Sequence, residues 1–165
     1  MTRYFGSYSS HMPVLLKIMS LTSGPVLEMG VGVCSTIILH YLCMGAGRQL
    51  ISYENNEKYT RGLMQFHGGF HEIKVVDNWD AIDILKPWSV AFIDHAPMER
   101  RKVDAGRLAN YAEYVICHDS EPKHDRYYKY SEIYPLFKYR YNYEKLFPHT
   151  VVLSNFHCFG ASFEI

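Results

Sequence analysis

Pro25-Val-Leu-Glu-Met-Gly-Val-Gly-Val-Cys-Ser-Thr36 decides how the rest of the chain is read. A short apolar run, Val26-Leu27, ends in a carboxylate, Glu28. Two glycines follow, Gly30 and Gly32, and Ser35-Thr36 opens an amphipathic segment, Ile37 to Cys43. The pattern predicts a buried strand, a tight turn and a helix start. Glycine permits positive φ and lets a ligand approach the backbone closely. Amides at a helix N-terminus favour an electron-rich partner. A Gly-x-Gly pair alone is a weak signal, but the acid two positions before the first glycine sharpens it. A carboxylate there would repel the phosphates that nicotinamide-binding folds present to this turn, and would favour a cationic ligand.

Outward from this turn, strands and helices alternate. On the N-terminal side, residues 1–22 read as an irregular lid and then a helix, with Pro13 in its first turn and Val14, Leu15, Ile18, Met19 and Leu21 on one face. On the C-terminal side the expected strands are Gln49–Tyr53, Glu72–Val76, Ser89–Ile93 and Tyr114–Cys117. Helices are expected at Ser35–Cys43, Glu57–Phe66, Glu99–Tyr111 and, in short form, Ala81–Leu85. Strands that are nearly all apolar are buried on both faces, so this core, residues 24–121, predicts a doubly wound α/β sheet, mostly parallel. Residues 122–165 differ in texture. A Tyr-rich helix is expected after Lys123, and then two close strands, Tyr139–Tyr143 and Thr150–Leu153, that suggest an antiparallel edge hairpin.

Bulk properties narrow the class. The chain has 165 residues, enough for a single domain, with 48% apolar and 15% aromatic residues for its core. A formal net charge of 0 argues against a nucleic-acid platform. No run is long enough to span a membrane. Four widely spaced cysteines, with no Cys-x-x-Cys pair, suggest neither a zinc ribbon nor a disulfide framework. They point to a reducing, cytoplasmic setting.

In an open α/β sheet, ligands bind beyond the carboxyl ends of the strands. Here strand after strand ends in an acid or a histidine: Glu28, Glu54, Asp77, Asp94-His95 and His118-Asp119. Any one of these can be a helix cap; five in succession suggest a site. Gly30, Gly32 and Ser35 would line the turn. Glu54, about twenty residues beyond the glycines, suits ribose hydroxyls. Asp77 or Asn78 would face an adenine amine, and Trp79 would pack on the ring or simply in the core. Asp94, His95, His118 and Asp119 leave two readings open. One is a general base, His95 or His118, that takes a proton from a substrate hydroxyl. The other is a divalent metal with Asp94 and Asp119 as oxygen ligands and a histidine beside them, which would lower the pKa of that hydroxyl.

Glu28-Met-Gly30-Val-Gly32 with Glu54 resembles the first motif and ribose acid of class I S-adenosylmethionine-dependent methyltransferases. Phe92-Ile93-Asp94-His95-Ala96-Pro97, then Arg100, Asp104 and Leu108, then Tyr114-Val115-Ile116-Cys117-His118-Asp119 resembles methyltransferase family 24. The likeness covers about Gly24 to Glu121. It implies a seven-stranded Rossmann-like sheet with an antiparallel last strand, S-adenosylmethionine as cofactor, and methyl transfer to a small hydroxylated acceptor, in some relatives with Mg2+ or another divalent cation. The chain departs from it in lacking a third glycine, with Cys34-Ser35 there instead. It also has no inserted substrate-capping domain, so the acceptor pocket would be built from Met1–Pro13, the Pro97 loop, the Tyr-rich segment or a second subunit of a homo-oligomer. Two other classes compete: a nicotinamide or nucleotide-sugar enzyme on a similar sheet, and a non-catalytic interaction module.

Overall fold

The computed structural model describes residues 8–160 and 163–165. The apolar runs form strands β1 (Val26–Met29), β2 (Leu50–Glu54), β3 (His71–Val75), β4 (Trp88–Ile93), β5 (Ala112–His118), β6 (Tyr139–Tyr143) and β7 (Thr150–Ser154). They make one seven-stranded sheet in the order β3-β2-β1-β4-β5-β7-β6. β1 to β5 are parallel; β7 runs antiparallel to β5, and β6 antiparallel to β7. This is the expected doubly wound sheet with its antiparallel hairpin. The helices are α1 (Met12–Leu21), α2 (Ser35–Ala46), α3 (Glu57–Thr60), α4 (Arg100–Arg107) and α5 (Asp125–Tyr128).

Alternation along the strands feeds two cores. Val26, Val90, Phe92 and Ile116 face α1 and α2, which contribute Val14, Leu15, Ile18 and Leu39. Leu27, Met29, Ala91, Ile93, Val115 and Cys117 face the opposite layer, built from α4 and the Tyr-rich segment. Each such side chain, fully buried, contributes about 1.5–3 kcal/mol. Arg48 is buried between α1 and β1. It donates to the carbonyls of Met19, Thr22 and Gly24 at 3.2, 3.2 and 2.7 Å, and so satisfies the end of α1 and fixes where the chain enters the sheet.

Three expected helices are not continuous. The Glu57–Phe66 segment forms only α3 and a 3-10 turn, Met64–Phe66. The Thr60 hydroxyl donates back to the Glu57 carbonyl, Gly62 follows, and Tyr59 faces solvent, so little apolar surface holds a longer helix in place. Ala81–Leu85 is extended after a 3-10 turn at Trp79–Ala81, because Asn78 caps that turn and Ile82 and Ile84 both reach the core. The Tyr-rich stretch is α5 between 3-10 turns, interrupted by Lys129 at φ 53° and by Pro135. Of the N-terminal lid, Met1 to Ser7 lie outside the described residues.

Candidate active site

The order of the sheet reverses between β1 and β4, and the site forms where their carboxyl ends part. Gly30 sits at this switch point with φ 98°. A Cβ on it would fall 2.5 Å from the Asp94 carbonyl carbon and 2.6 Å from the His95 nitrogen, so the two strand ends meet this closely only through glycine. Gly32 is different. A Cβ there would meet only the Ser35 Oγ at 3.5 Å, an ordinary contact, so no described neighbour requires the missing side chain.

Glu28 lies beneath this turn, fully buried, rather than lining the open cleft. Its carboxylate accepts from Thr36 Oγ1 at 3.0 Å and from Ser52 Oγ at 2.6 Å, and also bonds the buried Ser35 hydroxyl. Thr36 Oγ1 in turn accepts from the Gly32 amide at 3.0 Å, so the acid orders the turn through one hydroxyl. Ser35 is itself buried, with its Oγ close to Gly32. No Lys or Arg among the described residues pairs with Glu28, and burial pushes its pKa up to about 7 against the pull of Ser52, Ser35 and Thr36. Behind it runs a polar chain: Ser52 Oγ lies 2.9 Å from His71 Nε2, and His71 Nδ1 lies 3.0 Å from His40 Nδ1.

Glu54 closes the other side of the turn. Its oxygens accept from the Val31 amide at 2.9 Å and the Asn56 amide at 2.7 Å. A carboxylate offers about four lone-pair sites, so about two remain for a diol. Asp77 and Asn78 are exposed beyond β3, and Asn78 caps the Asp80 amide. Trp79 is buried instead. Its indole donates to the Ala96 carbonyl at 2.9 Å and lies 4.2 Å from the His95 ring, the core-packing alternative rather than an open ring platform.

Beyond β4 and β5 the four expected residues separate into two groups. His95 is buried between Trp79 and Asp104, its Nε2 3.0 Å from Asp104 Oδ2. Burial lowers its pKa despite that carboxylate, and the ring has no face on the cleft from which to act as a base. Asp94 and His118 do meet: His118 Nδ1 is 3.4 Å from Asp94 Oδ2. Burial opposes a proton on His118, but Asp94 and Asp119 outweigh it and raise its pKa. Asp119, at φ 59°, does not join Asp94 around a shared metal position. Arg101 stands between them instead, with Nη1 2.9 Å from both Asp94 Oδ1 and Asp119 Oδ2, and Tyr128 donates to the same Asp119 oxygen at 3.0 Å. A built-in guanidinium thus stands where Asp94 and Asp119 were expected to share a divalent ion, and it offsets one of their two charges.

Sequence reasoning missed Arg101, and it named Ser10 and His11 only within the N-terminal lid and the Met1–Pro13 stretch expected to help build the acceptor pocket. Arg101 lies within Glu99-Arg100-Arg101-Lys102, where nothing distinguishes it from its solvated neighbours. Its Nε also donates to the His95 carbonyl at 2.6 Å and its Nη2 to the Asp94 carbonyl at 3.1 Å, which locks the end of β4. Ser10-His11 reads as a helix start in the sequence. The fold brings it back over β5, where Ser10 Oγ lies 2.9 Å from His118 Nε2 and the His11 ring packs edge-on to His118 at 4.8 Å. Past β5, Tyr128 and Tyr130 turn inward, and Tyr130 donates to the His118 carbonyl at 3.1 Å, so this part of the Tyr-rich segment is core. Tyr134, with Arg140 over its ring, lines a polar pocket of about 260 Å³ with Ser120, Asp125 and His149.

No protein-family model matches the sequence, and no curated protein matches it in sequence. Solved structures do match in fold. A SAM-dependent O-methyltransferase from Thermotoga maritima is 16% identical with a TM-score of 0.65, the match covering 95% of this chain and 69% of that one. Human methyltransferase-like protein 13, in complex with SAH, is 9% identical with a TM-score of 0.65, over 90% of this chain and 82% of that one. A spermidine synthase from Thermotoga maritima is 15% identical with a TM-score of 0.56, over 84% of this chain and 56% of that one. The chain therefore has the Rossmann-like fold of class I methyltransferases. Because a spermidine synthase shares it, the fold alone does not fix an activity.

Proposed function

We propose that the chain binds S-adenosylmethionine and transfers its methyl group to a small hydroxylated acceptor. The observation that carries this reading is Glu28: a buried carboxyl without a cationic partner among the described residues, under a glycine turn whose second glycine no described neighbour requires. That floor suits a ligand with positive charge. Bound there, the cofactor supplies an electrophilic methyl group on a sulfonium. Gly32 leaves room for its amino-acid end beside the start of α2, where no side chain caps the helix. Glu54 would accept from the ribose hydroxyls, and Asp77 and Asn78 lie where an adenine amine would emerge. The corner of Asp94, His118 and His11 is where the acceptor's hydroxyl would be held and activated, and positioning is expected to account for most of the rate. The Asp-His and His-Asp strand ends support a place near methyltransferase family 24.

The test is ligand-induced stabilisation of the full chain. S-adenosylmethionine and S-adenosylhomocysteine should each raise the melting temperature, and NAD should not. Glu54→Ala should weaken the effect about tenfold or more, since hydrogen bonds to a charged group are each worth about 1.5–3 kcal/mol. Stabilisation by NAD with none from the adenosyl ligands would sink the reading.

A further inference from the structure

His11 is 1% exposed, and neither ring nitrogen has a hydrogen-bond partner among the described residues. Burying a polar group without a partner is costly, and a histidine kept in such a place usually has a reason. Its surroundings supply one. His11, Asp94 and His118 each present a ligand atom within 4.8 Å of the others. His118 is already set up for coordination through Nδ1, because Ser10 Oγ lies 2.9 Å from its Nε2 and can accept that N–H. A hydrogen bond of this kind, from the far nitrogen of a ligating imidazole, fixes tautomer and ring orientation. Asp94 is divided in the same way. Its Oδ1 is held by Arg101 at 2.9 Å, while its Oδ2 faces His118.

We infer that His11, Asp94 and His118 form a divalent metal site with two imidazoles, one carboxylate and an open position. The donor set selects the ion. Imidazole suits Zn2+, Fe2+, Co2+ or Ni2+, whereas Mg2+ takes oxygen ligands. The ion is therefore a borderline transition metal. Three protein ligands and a vacant fourth place are the pattern of catalytic zinc sites, and here the vacancy would receive the acceptor oxygen. Metal–ligand bonds of roughly 2.0–2.1 Å put neighbouring ligand atoms roughly 3.3 Å apart. The three side chains must then close by roughly 1.5 Å, a change of side-chain rotamers rather than of fold. Arg101 disfavours an added cation, but it is balanced by Asp94 and Asp119 together, which leaves the corner one negative charge in excess. The proposed use of the metal rests on the methyl-transfer reading; its binding does not.

The experiment is titration of the chelator-treated full chain with Zn2+, Co2+ and Mg2+, followed by calorimetry and, for Co2+, by visible absorption. One Zn2+ or Co2+ should bind per chain, Mg2+ at least about 100-fold more weakly. His11→Asn should lower Zn2+ affinity about 100-fold, and Ser10→Ala about tenfold. Surface binding at His157 and Cys158 is controlled by His157→Ala/Cys158→Ser, which should leave the stoichiometry at one. Should His11→Asn fail to fold, long-range 1H–15N spectra of the unaltered protein decide the question. Zn2+ should shift the ring nitrogens of His11 and His118. Binding that leaves both rings unmoved, or that vanishes in the His157/Cys158 variant, overturns the site. Metal binding without any effect of adenosyl ligands on stability would keep the site and refute the methyl-transfer reading.

Discussion

Glu28 makes a prediction that a surface acid could not. Its pKa is raised from 4.5 to about 7, mainly by burial, so the folded state holds the proton more tightly than the unfolded chain. The associated stability is fully present below about pH 4.5 and is lost as pH rises through about 7. A shift of that size corresponds to about 3 kcal/mol. His11 and His71, both lowered by burial to about 4, act in the opposite sense, losing stability as pH falls from 6.5. The wild-type profile mixes these effects, so the readout is a difference. Urea unfolding should show Glu28→Gln gaining on the wild type by about 3 kcal/mol between pH 4.5 and 8, with nearly constant difference above that. A difference independent of pH would show that Glu28 keeps an ordinary pKa. Ser52, His71 and the half-buried His40 form a hydrogen-bonded chain behind this floor. At this scale the sequence disclosed chemistry but not direction. Glu28 was recognisable as the acid of the turn. That it points down at Ser52 rather than out at a ligand depends on β2, twenty-four residues later.

Elements show the same division between what a pattern reveals and what packing decides. Strands β1, β4 and β5 were legible because an apolar run covered on both faces has few alternatives. The helices after β2 and β5 were not, because capping side chains and single interruptions such as Lys129 and Pro135 outweighed weak periodicity. The role of α4 was also hidden. Asp104, fully buried, accepts from Arg100 at 2.9 Å on both oxygens, from Arg107 at 2.9 Å, and faces His95 at 3.0 Å. Arg107 also donates to the carbonyls of Trp79 and Ile82. One carboxylate thereby fastens α4 to the connection between β3 and β4. Although burial opposes its charge, His95, Arg100 and Arg107 hold its pKa at about 2. Asp104→Asn should cost about 3–5 kcal/mol at pH 7, as for other broken buried pairs. The loss should shrink as pH falls from 3.8 toward 2, because the unfolded chain takes up the proton while the folded carboxylate stays ionised to about 2. Denaturant unfolding at pH 7 and pH 2.5 checks both statements. The two glycines of the turn give a second contrast. Gly30→Ala should lower stability by about 2 kcal/mol or more, from positive φ and collision with the β4 end. Gly32→Ala should change stability little and weaken S-adenosylhomocysteine binding, a combination that thermal melts with and without ligand would reveal.

For the whole molecule, two regions far apart in sequence meet at the carboxyl end of β5, and that meeting was the least legible feature of all. The doubly wound, mostly parallel sheet with its antiparallel hairpin could be anticipated from the alternation of elements. The return of Ser10 and His11 to the end of β5 could not, because no local pattern records a contact over 108 positions. It brings the start of the N-terminal helix into the corner, rather than leaving it only a cover for the sheet, with the His11 ring 4.7 Å from that of the buried Phe92. Charge ties the two halves together as well. Asp94 contributes to raising the pKa of Glu28, so a cationic ligand placed between them relieves both. Binding of S-adenosylmethionine near pH 7 should therefore expel a fraction of a proton from Glu28. Calorimetry in buffers of different ionisation heat measures that number directly: the observed enthalpy should vary with the buffer for the wild type and much less for Glu28→Gln. Affinity should rise between pH 6 and pH 8 in step with it, because the ligand selects the ionised floor. An enthalpy independent of buffer in both proteins would mean that the carboxyl does not feel the ligand, and would remove the electrostatic reason for expecting a sulfonium in this cleft.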